Sequence, residues 1–185
     1  FSNVKEEWGT FDFLVHSIAF ADKNDLSGRF VDTCRANYLM AIEISAYSLV
    51  ALTREAEPLL NEGGNVVCMS YYGAEKVIPR YNIMGVAKAT LESTTKYLAA
   101  DLGPNGFRVN CVSAGPVRTL SSAAISGFRG MLNTAKEMAP MQRNVTLEDV
   151  AKTTAYLVSD LASGVTGEVH HVDCGCNIMG MPPST

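Results

Sequence analysis

Four short segments, rich in β-branched and aromatic residues, constrain the fold more than any other feature of this chain. They are Phe11 to Ser17 (FDFLVHS), Asn65 to Ser70 (NVVCMS), Arg108 to Ser113 (RVNCVS) and Glu168 to Asp173 (EVHHVD). Each is bounded by Gly, Asp or Asn and is too short for a helix of ordinary length, so each predicts a buried strand. Segments of helical periodicity lie between them. One runs from Phe30 to about Leu60. Another runs from Tyr81 to about Leu102, carries Ala87, Leu91, Tyr97 and Leu98 on a recurring face, and stops at Gly103-Pro104-Asn105-Gly106. A third opens near Thr146, a candidate cap with Glu148 and Asp149 in the first turn behind it. Strands alternating with helices predict an α/β fold, a doubly wound parallel sheet covered on both faces.

With 185 residues, 47% hydrophobic and 18% charged, the chain suits a single domain over 1–185 with a substantial core. A net charge of −4 argues against nucleic acid as the main partner, because phosphate binding calls for a basic patch. No uninterrupted apolar run approaches the roughly 20 residues that span a bilayer, and the polar opening Phe1-Ser2-Asn3-Val4-Lys5-Glu6-Glu7 does not resemble a secretory signal. No membrane association is expected. Five cysteines, Cys34, Cys68, Cys111, Cys174 and Cys176, are an odd number without framework spacing. That pattern predicts reduced thiols and a cytoplasmic location. Cys174-Gly175-Cys176 is too tight for the usual zinc or redox motif, so no metal is expected. His16, His170 and His171 fall in strand-like segments and suit structural roles.

A parallel sheet of this kind binds ligands outside the carboxyl ends of its strands. Polar and small residues collect at those ends: His16-Ser17-Ile18-Ala19 after the first strand, Ser70-Tyr71 after the second, and Ala114-Gly115-Pro116-Val117-Arg118-Thr119 after the third. Gly115-Pro116 marks a tight turn that a flat ligand can approach. Thr119 offers a hydroxyl and an N–H suited to a phosphate, and an ordinary helix cap would look the same. The stretch Thr119 to Asn133, rich in Ser, Ala and Gly, suits a mobile lid and equally two plain short helices. Tyr81 and Lys88 are seven residues apart, almost two helical turns, which would point them the same way. A cation nearby favours a phenolate and can hold a sugar hydroxyl, whereas a phenol can donate to a developing oxyanion. The competing reading has Tyr71 and Tyr81 packed against the core and Lys88 merely solvated.

Taken together, VHSIAFA (Val15 to Ala21), SYYGAEKVIPRYNIMGVAK (Ser70 to Lys88), GPNGFRVN (Gly103 to Asn110), SAGPVRTL (Ser113 to Leu120) and SGVTGEVHHVDCG (Ser163 to Gly175) resemble the bacterial enoyl-[acyl-carrier-protein] reductases, a divergent branch of the short-chain dehydrogenase/reductase superfamily. The resemblance covers nearly the whole chain. Ordinary members of the superfamily place three residues between Tyr and Lys. Here six intervene, with Gly85 at the shorter spacing, and Ser17-Ile18-Ala19 stands where an Asn-Asn-Ala-Gly turn is usual. The resemblance implies a Rossmann-like fold in which NADH, or less readily NADPH, reduces the trans-2 double bond of an enoyl thioester in fatty acid synthesis. Tyr81, Lys88 and Tyr71 would be the catalytic residues. Tyr81 would hydrogen-bond the thioester oxygen, Lys88 the nicotinamide ribose, and Tyr71 would line the acyl pocket. Ser17, Ile18, Ser70, Lys88, Gly115, Pro116, Val117, Thr119, Leu120 and Ser121 would border the cofactor. Ala21, Tyr71, Tyr81 and Arg129 would meet the substrate.

The resemblance also implies a substrate-binding loop at about 119–133 that docks an acyl carrier protein. Arg129 is kept there, but Ser126 and Gly130 stand at positions often basic. Cys174 takes a position where glycine is common, a change expected to be neutral. A homotetramer is implied too, with the helices beginning at Phe30 and Tyr81 as candidate surfaces. The glycine-rich phosphate loop and the residue that discriminates NADH from NADPH do not occur in the sequence. The expectation is therefore that three strands of the family fold belong ahead of Phe1, and that this piece alone has weak activity or none. An ordinary 3-oxoacyl or alcohol reductase and a non-catalytic binding module are the alternatives.

Overall fold

The computed structural model describes residues 1–119 and 127–182. Its four strands, β1 (Phe11–His16), β2 (Leu60–Ser70), β3 (Arg108–Ala114) and β4 (Val169–Val172), form one sheet in the order β1-β2-β3-β4, with every pair parallel. Six α-helices lie among the described residues: α1 (Ser2–Trp8), α2 (Arg35–Ile42), α3 (Ser48–Ala56), α4 (Ile83–Leu102), α5 (Phe128–Met138) and α6 (Leu147–Val158). Alternation along β2 and β3 sends side chains to opposite faces. Val66, Cys68, Val109 and Cys111 pack with Ala46, Leu49 and Leu91 from the α2–α3 and α4 side. Val67 and Val112 pack with Leu157 and Ala162 on the α6 side. This is the doubly wound α/β arrangement expected. β2 from Gly64 to Cys68 and β3 from Val109 to Ser113 are buried continuously because both their faces are covered.

Two boundaries differ from the sequence expectation. β2 begins at Leu60 rather than Asn65, because Gly63, at φ 75°, makes an irregularity within the strand instead of ending it. The helix foreseen from Phe30 starts at Arg35, behind Cys34, whose sulfur accepts from Asn37 N. Phe30–Asp32 is only a 3-10 turn.

Within that helical run a π-helical segment, Glu43–Tyr47, joins α2 to α3. The run Arg35–Leu59 is long and apolar enough, by length and composition alone, to cross a membrane. Glu43 and Arg54 interrupt it, and Ala41, Ala46, Leu49 and Ala56 within it are fully buried in this fold. The π segment and the residue after it aim two serines at the segment following β1. Ser45 Oγ accepts from Phe20 N at 2.9 Å and donates to Phe20 O at 3.0 Å. Ser48 Oγ donates to Ile44 O and lies 2.7 Å from His16 Nε2. With its own proton committed to Ile44, the Ser48 oxygen accepts Nε2–H, and the buried Nδ1 has no partner, an environment that favours the neutral ring. α6 is held at its start by a capping box, Thr146 with Asp149, as its sequence foretold.

His16 is 1% exposed, and burial, with Lys88 nearby, lowers its pKa from 6.5 to about 4. A group whose pKa is depressed by folding stabilises the fold above its unfolded value, and that stability is lost as pH falls through the folded value. Between pH 6.5 and about 4, His16 should therefore remove on the order of 2–3 kcal/mol of stability. Urea unfolding of wild type and His16→Gln at pH 7 and pH 4.5 should show the wild type losing more. Equal losses would exclude this role.

Candidate active site at the strand carboxyl ends

Parallel register brings the ends of the strands level: His16 pairs with Cys68, Ser70 with Ser113, and Ala114 with Val172. Every segment singled out in the sequence leaves the sheet on this side. After β2 the chain passes through Tyr71, a 3-10 turn at Tyr72–Ala74, and a loop that returns at Tyr81. Tyr81 is not part of α4, which starts at Ile83 behind Asn82 at φ 40°, with Arg80 at φ 66°. The common helical face expected for Tyr81 and Lys88 is thus replaced by a kinked loop leading into the helix. What holds Tyr81 is its neighbour. The Tyr71 and Tyr81 rings meet edge to face with centroids 4.9 Å apart.

Two glycines make that packing possible. A Cβ on Gly73 would lie 2.7 Å from Cε1 of the Tyr81 ring and 3.3 Å from Cδ1 of Tyr71. A Cβ on Gly85 would lie 2.7 Å from the carbonyl oxygen of Gly73. The first turn of α4 therefore sits directly on the 72–74 turn, and the Tyr81 ring lies against Gly73. The shorter Tyr–Lys spacing would need a lysine side chain at Gly85, where the Gly73 carbonyl leaves no room.

Lys88, 7% exposed, donates from Nζ to Met69 O at 2.6 Å. Burial lowers its pKa, against the opposing influence of Cys68, Cys111 and Glu92. Burial, the neighbouring Tyr71 and Glu92 all raise the pKa of Tyr81, and burial with Cys176 pushes Tyr71 up to about 12. Both phenols are protonated donors at neutral pH. The environment thus favours the protonated, donating phenol of Tyr81 over a phenolate. Cys111 is likewise kept a thiol by its contact with Cys68 and by burial.

Over residues 1–177 the chain matches the family model described as Enoyl-(Acyl carrier protein) reductase. The chain belongs to this family. It is 58% identical over 180 residues to the NADH-dependent enoyl-[acyl-carrier-protein] reductase of Rickettsia bellii, covering 97% of this chain and 69% of that protein. Among solved structures it is similar to the Anaplasma phagocytophilum enzyme in complex with NAD, with a TM-score of 0.94 and 52% identity over 99% of this chain and 70% of that one. It is also similar to the Bacillus cereus enzyme with NADP+ and indole naphthyridinone, with a TM-score of 0.94 and 50% identity over 97% of this chain and 70% of that one.

The residues at the strand ends of this reductase chain suit the nicotinamide side of a dinucleotide. Lys88 uses one of its three N–H donors on Met69, which leaves two for ribose hydroxyls. Ser113 Oγ is buried without a partner, in register with Ser70 on the same sheet face. Ser17 and Ile18 lie exposed beyond β1, with Ala21 half-buried after them, and Pro116, Val117 and Thr119 follow β3. Gly115 answers a different demand from the one foreseen. Its added Cβ would meet Asp173 and Val145 at 3.0–3.1 Å, so protein neighbours already account for the glycine. Ser70 is 5% exposed and its hydroxyl is turned to Glu92, a residue the sequence reading passed over. Arg129 is exposed in the first turn of α5. Leu120, Ser121 and Ser126 lie outside the described residues. Cys174 has φ 60°, in the left-handed region where a side chain costs roughly 1–2 kcal/mol.

Gly73→Ala should displace the Tyr81 ring and cost about 1–3 kcal/mol through overpacking. Thermal unfolding should fall, and the near-ultraviolet circular dichroism of the tyrosines should change. Unaltered spectra and stability would show that the ring does not rest on Gly73.

Proposed function

We propose that Tyr81, Lys88 and Tyr71 form the catalytic centre of an NADH-dependent reductase acting on enoyl-[acyl-carrier-protein] thioesters in fatty acid biosynthesis. The observation that carries this is the protonated Tyr81 phenol, braced by Tyr71 above the end of β2, with the Lys88 ammonium anchored at the same strand end. NADH supplies hydride for C3 of the enoyl chain. As charge develops on the thioester oxygen, Tyr81 donates a hydrogen bond that is stronger in the transition state than in the ground state. Burial makes that donor more effective than it would be in water. Lys88 holds the ribose hydroxyls with its free donors, and Tyr71 lines the acyl pocket while fixing the Tyr81 ring. Ser17, Ile18, Ser113 and the backbone from Gly115 to Thr119 border the cofactor.

The same reading takes residues 1–185 as one Rossmann-like domain, with the segment 119–133 as its substrate-binding loop and Arg129 meeting the acidic carrier protein. NADPH remains an admissible coenzyme, since the relatives include an enzyme solved with NADP+. A homotetramer is supported by the exposed Tyr47 and Tyr97 and by a groove of about 330 Å³ between α3 and α4, lined by Val50, Thr94, Tyr97 and Leu98. A cytoplasmic location accords with the cysteines, all free among the described residues. An ordinary 3-oxoacyl reductase is disfavoured by the crowding at Gly85.

The test is NADH oxidation by the active enzyme offered a trans-2-enoyl thioester and, separately, a 3-oxoacyl thioester. Only the enoyl substrate should be consumed, and Tyr81→Phe should lower kcat by at least about tenfold. Turnover of the 3-oxo substrate alone would overturn the assignment. Wild-type rates in the variant would remove Tyr81 from the chemistry.

A further inference from the structure

Glu92 is a buried carboxylate that the mechanism above does not use. It is 9% exposed, and among the described residues no cation lies within ion-pair distance of it. Its partner is the Ser70 hydroxyl, which donates to Oε1 at 2.5 Å. Glu92 follows Lys88 by four residues on α4, so the two share a helix face. Their partners are adjacent in sequence: Lys88 is bound to the Met69 carbonyl and Glu92 to the Ser70 side chain. Two successive residues at the end of β2 thus grip one turn of α4. The grip lies beside the Tyr71 turn, where the strand gives way to the active site.

We propose that Glu92 is a positioning residue of the reductase, which docks α4 on the end of β2 through Ser70 and stands one helical turn from Lys88 on the same face. The inference rests on the reading of Tyr81 and Lys88 as the reductase centre. The surrounding groups fit a carboxylate that is costly to bury and is retained. Burial raises the Glu92 pKa and the Ser70 hydroxyl lowers it. Glu75, on the turn after β2, raises it further, while His171 on β4 and Lys96 on α4 lower it. Glu92 in turn raises the pKa of both Lys88 and Tyr81, each behind larger contributions. Cys68 on β2 and Cys111 on β3 also face Lys88, and His16 on β1 senses its charge.

Glu92→Gln in the active enzyme keeps the volume and the acceptor for Ser70 but removes the charge. The pH profile of kcat/KM reports the free enzyme's essential groups. Its basic limb should move to lower pH, because Lys88 loses a neighbour that raises its pKa. KM for NADH should rise with it. Glu92→Asp, which keeps the charge, should restore the wild-type limb. An unmoved limb with unchanged KM in Glu92→Gln would overturn the proposal, as would Glu92→Asp shifting equally, which would make the role one of packing alone. If Glu92→Gln fails to fold, NADH affinity of Ser70→Ala, read by nucleotide fluorescence, decides. Weaker binding at unchanged melting temperature supports the grip, and unchanged affinity overturns it. A wild type without enoyl turnover would instead overturn the reductase reading itself.

Discussion

The buried ammonium of Lys88 on the carbonyl of Met69 is the contact on which the site depends. A lysine at 7% exposure is expensive unless its charge is met by hydrogen bonds, and the last residues of a parallel strand supply an acceptor there. The bond ties the middle of the first half of α4 to the carboxyl end of β2, an interior strand. Once that register is set, the start of α4 falls on the 72–74 turn, and Tyr81 has only the space against Gly73 to occupy. The cofactor contact proposed for Lys88 and the substrate contact proposed for Tyr81 thereby share one junction.

The junction combines close packing with burial of polar groups. Gly73 and Gly85 allow backbone and ring to approach more closely than any side chain would permit. Around them, Ser70, Glu92 and Lys88 are all below 10% exposure. Burial leaves the phenols as donors and costs the ammonium part of its basicity. On the same face of the sheet, Ser45 and Ser48 fix Phe20 and His16 from the α2–α3 helical run. The segment after β1 is thus held by side chains of the core rather than by the sheet. The π-helical segment is where the helix is re-phased to present Ser45.

Much of this was legible in the sequence. The four strands, their parallel alternation with helices, the Thr146 cap and the gathering of Ser17, Tyr71 and Gly115 at one side all follow from local periodicity and turn chemistry. Those signals are carried by neighbouring residues and survive without tertiary context. Local pattern places the start of β2 at Asn65, because Gly63-Gly64 resembles a boundary, whereas the strand runs through it alongside β1. Spacing alone puts Tyr81 on a helix, because it cannot reveal that Arg80 and Asn82 take positive φ.

The sequence by itself determined which residue types stand at the strand ends and how far Tyr81 lies from Lys88, because strand and helix periods are local properties. It also carried the family motifs that the comparisons confirmed. Only the tertiary structure decided what those residues experience. Glu92 and Ser70 are 22 residues apart in the chain yet share a hydrogen bond, and Gly73 is needed because of a ring eight positions later. Burial, the closeness of one backbone to another and the resulting shifts in proton affinity depend on how separate segments are stacked. No single segment of the chain contains that information.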